Sequence, residues 1–482
     1  MREYSKNITM LMDFYELTMI NGYFENNLDK EIAYFDYFFR TTPDKAGFAI
    51  FAGLSSVIDY IKNIKIDEKD IEFLKSKKIF GDKFLNYLKT FKFSGDIYSM
   101  QEGSVVFPNE PILSVRGNVF ETQLIETVLL LFLNHQSLIA TKANRIVRSA
   151  ANKSVIEFGA RRAHGVDASV LGARAAYIGG CVGTSNVLAD MYFGVNSSGT
   201  MAHSWVQMFD SEYTAFELFA KTYPDNCILL IDTYNTLKSG IKNAIKVFDT
   251  ILKPMNKRPI GVRIDSGDIS YLSKNVRRIL DNAGYEDCKI FVSNSLDEYI
   301  IRDLQLQGAK IDVYGVGERL ISSKSHPVFG GVYKLVAVQK ENKIIPKIKI
   351  SENVEKITTP HYKQVYRIFD KNDNHMIADL ITIYDEIIDE TKELEIFHPE
   401  FTWKRRIIKD YYVKKMLLPI FIDGQLVYNE PNIEEIKNYC KMSVDSLWDE
   451  CKRFENPHTY HVDLSQKLWD LKNKLIKENN FE

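Results

Sequence analysis

Residues 259–268 read PIGVRIDSGD. The stretch opens as a short β-type run, with apolar Ile260, Val262 and Ile264, and closes on a polar loop. Arg263, Asp265, Ser266 and Asp268 fall within six residues. The next segment, SYLSKNVRRILDNAG (270–284), has helical spacing and ends at Gly284, suited to the position just past a helix C-terminus. This unit of β-run, polar loop and helix recurs. The other runs are SVIEFG (154–159), AAYIGG (175–180), CILLIDTYN (227–235), CKIFVSN (288–294), IDVYGVG (311–317) and YKLVAV (333–338). A spacing of roughly 20 to 35 residues predicts βα units of a parallel sheet or barrel.

That prediction locates a site. In parallel α/β folds the loops after the strands converge at the carboxyl edge. Residues 158–162, 179–186, Asp232, 263–268, 293–294 and 315–317 are therefore expected at one mouth. One such loop is ordinary punctuation. Six loops mixing Arg, Asp and Gly point to a ligand.

The bulk numbers set limits. The chain has 482 residues, 62 Lys and Arg against 64 Asp and Glu, so no basic field suits nucleic acid or a membrane surface. Five cysteines without a CxxC pair argue against disulfides or zinc and fit a reducing cytoplasm. No stretch reaches the roughly 18 uncharged apolar residues of a membrane span. Acidic Asp13 and Glu16 interrupt the N-terminal stretch before a signal-like core forms.

Outside the repeats, DFYELTMINGYF (13–24) has helical spacing and EIAYFDYFFR (31–40) is β-like. SVVFPNEPILSVRG (104–117) reads as two strands around a Pro-Asn turn. Residues 118–150 read as one or two buried helices, and 430–482 as charged and helical. The reading divides the chain into an N-terminal α/β region (1–140), a barrel region (141–340) and a C-terminal segment (341–482).

Several clusters suit anionic chemistry. Arg263 can clamp a phosphate, and Asp265 can hold a ribose hydroxyl or, with Asp268 as a further possibility, Mg2+. The two could equally be a self-satisfied ion pair. Gly315 and Gly317 at one strand end, with Gly330 and Gly331 before the next run, would let backbone N–H groups approach a phosphate. Arg161 and Arg162 are adjacent, so one is expected to meet ligand and the other to be structural. His203 lies in GTMAHSWVQMF (199–209), where pattern alone reads it as a satisfied, half-buried side chain. HTYH (458–461) lacks a third metal ligand, and Cys181 reads as a structural thiol rather than a nucleophile. Walker, Rossmann, HExxH and GxSxG motifs are absent from the sequence.

Taken in order, MDFYELTM, FFR, EGSVVFPNEPILSVRG, ETQLIET, EFGARRAHG, GTSNVLA, GTMAHSWVQMF, RIDSGD, GVGERL and GGVYKLV resemble the nicotinate phosphoribosyltransferase family. PKIKISENVEKIT (346–358) and ENPHTYHVDLSQKLWDL (455–471) are similar too. The resemblance implies an irregular, incomplete barrel of the type II phosphoribosyltransferase kind, with an α/β domain built from both chain ends. It implies transfer of 5-phosphoribosyl from PRPP to nicotinate, coupled to ATP hydrolysis, with Mg2+, in a homodimer whose active site lies at the interface.

Roles follow residue by residue from the resemblance. His203 is the phosphate acceptor from ATP, and Arg161 and Asp265 are catalytic. Tyr15, from a second subunit, and Phe158 sandwich the pyridine. Arg263, Ser185 and Arg40 contact substrate, and Gly315, Gly317, Gly330 and Gly331 cradle the 5′-phosphate. His361 and His461 depart from the family pattern, where glycine and proline are usual. The rivals are a nicotinamide phosphoribosyltransferase and a non-catalytic nucleotide or phosphate sensor. Ser185, with no acid beside it to accept an amide N–H, favours nicotinate over nicotinamide.

Overall fold

The computed structural model describes residues 7–353 and 356–479. Residues 1–6 of the N-terminal stretch, and Val354 and Glu355 of PKIKISENVEKIT, lie outside it. The chain forms two compact units, one from Ile139–Pro327 and one from Met1–Leu138 with Val328–Glu482.

The Ile139–Pro327 unit holds a six-stranded parallel sheet. Its strands in chain order are β1 (Ser154–Glu157), β2 (Gly183–Thr184), β3 (Ile228–Leu230), β4 (Gly261–Ile264), β5 (Lys289–Ser293) and β6 (Val313–Val316). Their spatial order is β2-β1-β6-β5-β4-β3. A closed barrel would run in cyclic chain order. That cycle is kept here and opens once, between β2 and β3, so this is an incomplete barrel. The segment after β2 runs along its open edge: Thr184 N–H donates to Asn196 O (3.1 Å), and Ser198 N–H donates to Thr184 O (2.8 Å).

The helices form for identifiable reasons. Ile269–Asn282 is capped by Asp268, whose side chain accepts from Tyr271 N–H. It buries Ser273, Val276 and Leu280 at i, i+3 and i+7. Asn186 caps Val187–Phe193, and Asp297 caps Glu298–Leu306. Fully buried Glu298 draws Lys142 (2.8 Å) and Arg145 (3.0 Å) onto one carboxylate oxygen.

The structure corrects two sequence-based strands. AAYIGG is not a strand but the last turn of the helix Val166–Ile178 with its two trailing glycines. A short buried apolar run has no period that separates strand from helix. YKLVAV is a strand but not a barrel strand. It belongs to Val332–Lys340, which pairs antiparallel with Ile32–Phe38 in the other unit. The expected boundary at 340 therefore moves to 327.

The second unit is built from both chain ends. Its seven-stranded sheet is antiparallel, ordered Lys343–Pro346, Val332–Lys340, Ile32–Phe38, Leu113–Asn118, Asp96–Ser99, Leu418–Ile422, Gln425–Leu426. Ile32–Phe38 is buried on both faces after its first residue. The helix Leu54–Asn63 adds Leu54, Val57, Ile58 and Ile61 to the same core. Each such fully buried side chain contributes about 2 kcal/mol of transfer free energy. A four-stranded sheet, Tyr411–Lys415, Lys363–Asp370, Met376–Ile383 and Val462–Leu464, carries its own core around Ile368, Leu380 and Ile396.

The departure at His361 has a conformational reading. Its φ is +77°, the region glycine occupies without penalty. The residue is held there by its N–H, which donates to Val336 O at 2.8 Å, and its ring Nδ1 lies 3.1 Å from Tyr362 O. Burial lowers the ring's pKa below the usual histidine value. His461 is lowered likewise, by burial first and then by neighbouring His458. No helix among the described residues is long and apolar enough to cross a membrane.

Candidate active site

The carboxyl edge of the parallel sheet gathers the polar loops. Phe158 follows β1, Ser185 follows β2, Asp232 follows β3, Asp265 follows β4, Ser293 ends β5 and Gly317 follows β6.

Arg263 is the hub. It sits on β4, with its side chain 17% exposed. Nε donates to Ser293 Oγ (2.9 Å), Nη1 to Thr200 Oγ1 (3.2 Å) and Nη2 to Asp265 Oδ1 (3.0 Å). The guanidinium also lies 5.7 Å from the centre of the Phe158 ring, a cation–π contact. One planar fork therefore fixes β5, the segment before His203, and the carboxylate just past its own strand.

Asp265 is held through one carboxylate oxygen and its backbone N–H. Besides Arg263, Ser293 Oγ donates to its Oδ1. Its backbone N–H donates to Asp232 Oδ2 (2.9 Å), which also accepts from Ser266 Oγ (2.5 Å). The other Asp232 oxygen, Oδ1, is buried without a hydrogen-bond partner.

His203 opens the short helix His203–Gln207. Its Nδ1 lies 3.1 Å from Thr233 Oγ1, just beyond β3. Nε2 is turned toward Asp265 Oδ2 at 3.8 Å, and the imidazole is 39% exposed. One ring nitrogen is thus anchored and the other points into the polar cluster.

The glycines have a steric reason of their own. A Cβ on Gly315 would come within 2.5 Å of the Phe158 ring, and one on Gly317 within 3.1 Å of Phe158 O. Both seat Phe158 closely, whether or not a phosphate binds. Gly330 and Gly331 lie in the other unit, before an antiparallel strand, and so are not on a barrel strand next to Gly315. A Cβ on Gly331 would collide with Asn134 Oδ1 and the Tyr37 ring.

The remaining candidates are dispersed. Arg161 and Arg162 form an exposed turn at Ala160–Arg162, and Ser185 is exposed. Asp268 spends one oxygen on its helix cap. Tyr15 is 45% exposed on the helix Phe14–Glu25, and Arg40 lies over the Phe38 ring at 5.5 Å; both belong to the second unit. Burial, then Glu126 and Glu16, raises the Tyr15 phenol above its ordinary range. Cys181 is buried and in no disulfide, which suits a structural thiol. Among the described residues no group of three His, Cys, Asp or Glu is arranged to hold a metal ion.

Thr233 and Glu157 were not singled out by sequence. Thr233 follows Asp232 directly in CILLIDTYN, so its place at a strand end was a usable signal. Glu157 is an acid inside the apolar run SVIEFG, where a charge calls for partners.

Comparison with known proteins agrees with this architecture. Models of the nicotinate phosphoribosyltransferase N-terminal domain, the family itself and the C-terminal domain match residues 10–134, 154–384 and 362–472. The nicotinate phosphoribosyltransferase of Bacillus subtilis is 44% identical over 98% of this chain and 96% of its own. That of Dictyostelium discoideum is 33% identical over 96% and 87%. The crystal structure of human nicotinic acid phosphoribosyltransferase superposes with a TM-score of 0.85 at 27% identity, covering 97% of this chain and 100% of that one. Its fold is the type II phosphoribosyltransferase fold. The chain belongs to the nicotinate phosphoribosyltransferase family.

Proposed function

We propose that the parallel-sheet mouth carries out the family's reaction, with ATP hydrolysis coupled through a phosphohistidine at His203. The transfer itself follows from family membership: 5-phosphoribosyl passes from PRPP to nicotinate, giving nicotinate mononucleotide and pyrophosphate, the opening step of NAD salvage. The observation that carries the reading is Asp265, pinned by Arg263 and Ser293 while facing His203 Nε2 at 3.8 Å.

The chemistry asks for positioning more than for covalent work. Pyrophosphate departs from ribose C1, leaving oxocarbenium character, and the pyridine nitrogen attacks that carbon. Asp265, fixed in orientation, suits a ribose hydroxyl. Phe158, buttressed by Gly315 and Arg263, offers one flat face to the pyridine. Exposed Arg161 is available to anionic substrate groups.

With Nδ1 against Thr233, Nε2 is the nitrogen that takes the phosphoryl group. A phosphohistidine adds charge near −2 beside the mouth. Asp232, with its unpartnered buried oxygen, and Asp265 are the carboxylates that fit Mg2+, which would neutralise charge on the departing pyrophosphate.

Tyr15 completes the site from a second subunit in this reading. Exposed Leu11, Phe14, Tyr15 and Phe73 on the second unit favour coverage by another copy. Five buried cysteines, none in a disulfide, accord with work in the cytoplasm. Incubation with labelled ATP is expected to give acid-labile phosphate on the wild type and none on His203→Ala. Wild-type ATP stimulation in His203→Ala would overturn the coupling. Competition between nicotinate and nicotinamide is expected to favour nicotinate.

A further inference from the structure

Glu157 ends β1 in full burial, one residue before Phe158. A carboxylate there must be satisfied by donors. Oε2 accepts from Thr184 Oγ1 at 2.6 Å, and Oε1 accepts from Gly159 N–H. Thr184 Oγ1 in turn accepts from Asn186 N–H at 3.1 Å, so its hydroxyl proton is directed to Glu157. Ser185 N–H donates to Glu157 O at 2.9 Å. A Cβ on Gly159 would lie 2.7 Å from Glu157 Oε1 and 2.5 Å from Ile321, so that turn cannot shift outward freely.

One buried carboxylate thus ties two loops together. The first carries Phe158 and Arg161, and the second carries Ser185 and Asn186. We propose that Glu157 is a positioning residue for pyridine binding: through Thr184 and Gly159 it sets the spacing between Phe158 and Ser185. This rests on the reading that those loops receive nicotinate.

With one donor on each oxygen, the pair of bonds is met in full by the ionised carboxylate. Burial raises the Glu157 carboxyl above its ordinary value, while the Thr184 and Gly159 bonds lower it. The flanking strands present Thr184 and Val316, the packed helix Glu318–Ile321 presents Ile321, and among the described residues no charged neighbour is a cause of the shift. As pH falls through the folded value, the proton added to Glu157 displaces one of the two bonds and loosens the loops. The same protonation favours the folded state, because a buried acid raised in the fold contributes stability on the acid side. Binding and stability therefore move in opposite directions, which a purely structural role would not produce.

The test uses the full-length enzyme with PRPP, ATP and Mg2+. Glu157→Gln and Thr184→Val are each expected to raise KM for nicotinate about tenfold, with kcat changed less than threefold. The double variant is expected to be no worse than either single variant, since both break one chain of bonds. Thr184→Ser, which keeps the hydroxyl, should recover the wild-type KM. The acid-side rise in KM should vanish in Glu157→Gln, without a matching loss of melting temperature in the wild type.

Wild-type KM in Thr184→Val overturns the proposal, as does a fall in kcat that tracks melting temperature. If Glu157→Gln fails to fold, the Val and Ser variants of Thr184 decide alone. A wild-type protein that consumes no nicotinate overturns the functional reading and this proposal with it. A wild type that turns over, beside an unaffected Thr184→Val, overturns the proposal only.

Discussion

Arg263 and Asp265, two residues apart on one strand and its loop, meet through Nη2 and Oδ1 at 3.0 Å. Alternation carried one residue past β4 puts both side chains on the same side. The same guanidinium reaches Ser293 and Thr200, so the pair joins three segments rather than only neutralising itself. Arg263→Lys keeps the charge and loses the fork. We expect kcat/KM for PRPP to fall by about 100-fold, with Asp265 no longer fixed. Steady-state kinetics beside a thermal melt checks this; a small kinetic effect would assign the pair a structural role.

Thr233 holds the His203 ring through Nδ1. Thr233→Val keeps volume and removes the hydroxyl. Phosphate incorporation from labelled ATP should drop about tenfold, as for partners of other reactive imidazoles. Transfer in the absence of ATP should persist. Equal losses in both assays would place Thr233 in the transfer step instead.

Gly315→Ala adds a methyl group within 2.5 Å of the Phe158 ring. The ring must turn, so KM for nicotinate should rise. The strain should cost about 1–3 kcal/mol in denaturant unfolding. An unchanged KM would show that Phe158 does not face the pyridine.

Glu16 supplies a pH prediction in the second unit. Burial pushes its carboxyl up to about 8, with the Thr127 bonds opposing and Glu126 adding. One oxygen takes both Thr127 donors, and the other is buried without a partner. The folded value lies above the unfolded one, so the stabilising contribution is present below about pH 4.5 and lost as pH rises through about 8. Glu16→Gln keeps the accepting oxygen and carries no charge. It should raise stability at pH 9 by about 2 kcal/mol and leave pH 5 unchanged, as read by melting curves.

Much of the parallel unit was legible, because its strands end in Arg, Asp and Gly at regular intervals. Phe158, Asp265 and Gly317 follow from counting strands to their carboxyl edge. AAYIGG misled because a buried helical turn and a buried strand share a composition. YKLVAV misled because nothing local in it distinguishes a parallel strand from an antiparallel one. Thr233 and Glu157 matter through partners 30 and 27 positions away, a relation no local pattern carries. The role proposed for His203 came from the family resemblance, since its apolar neighbourhood alone pointed elsewhere.

The single opening of the strand cycle has a kinetic consequence. An unclosed sheet exposes ladder groups at its rim, and here Asn196 and Ser198 occupy those of Thr184. Five residues further along the same backbone is His203. Any charge change that pulls the imidazole away therefore tugs on a rim seam of two hydrogen bonds. The amides of Thr184 and Ser198 become native reporters of that movement. Their deuterium uptake, followed through a turnover cycle, would show whether the seam opens and reseals with each turnover.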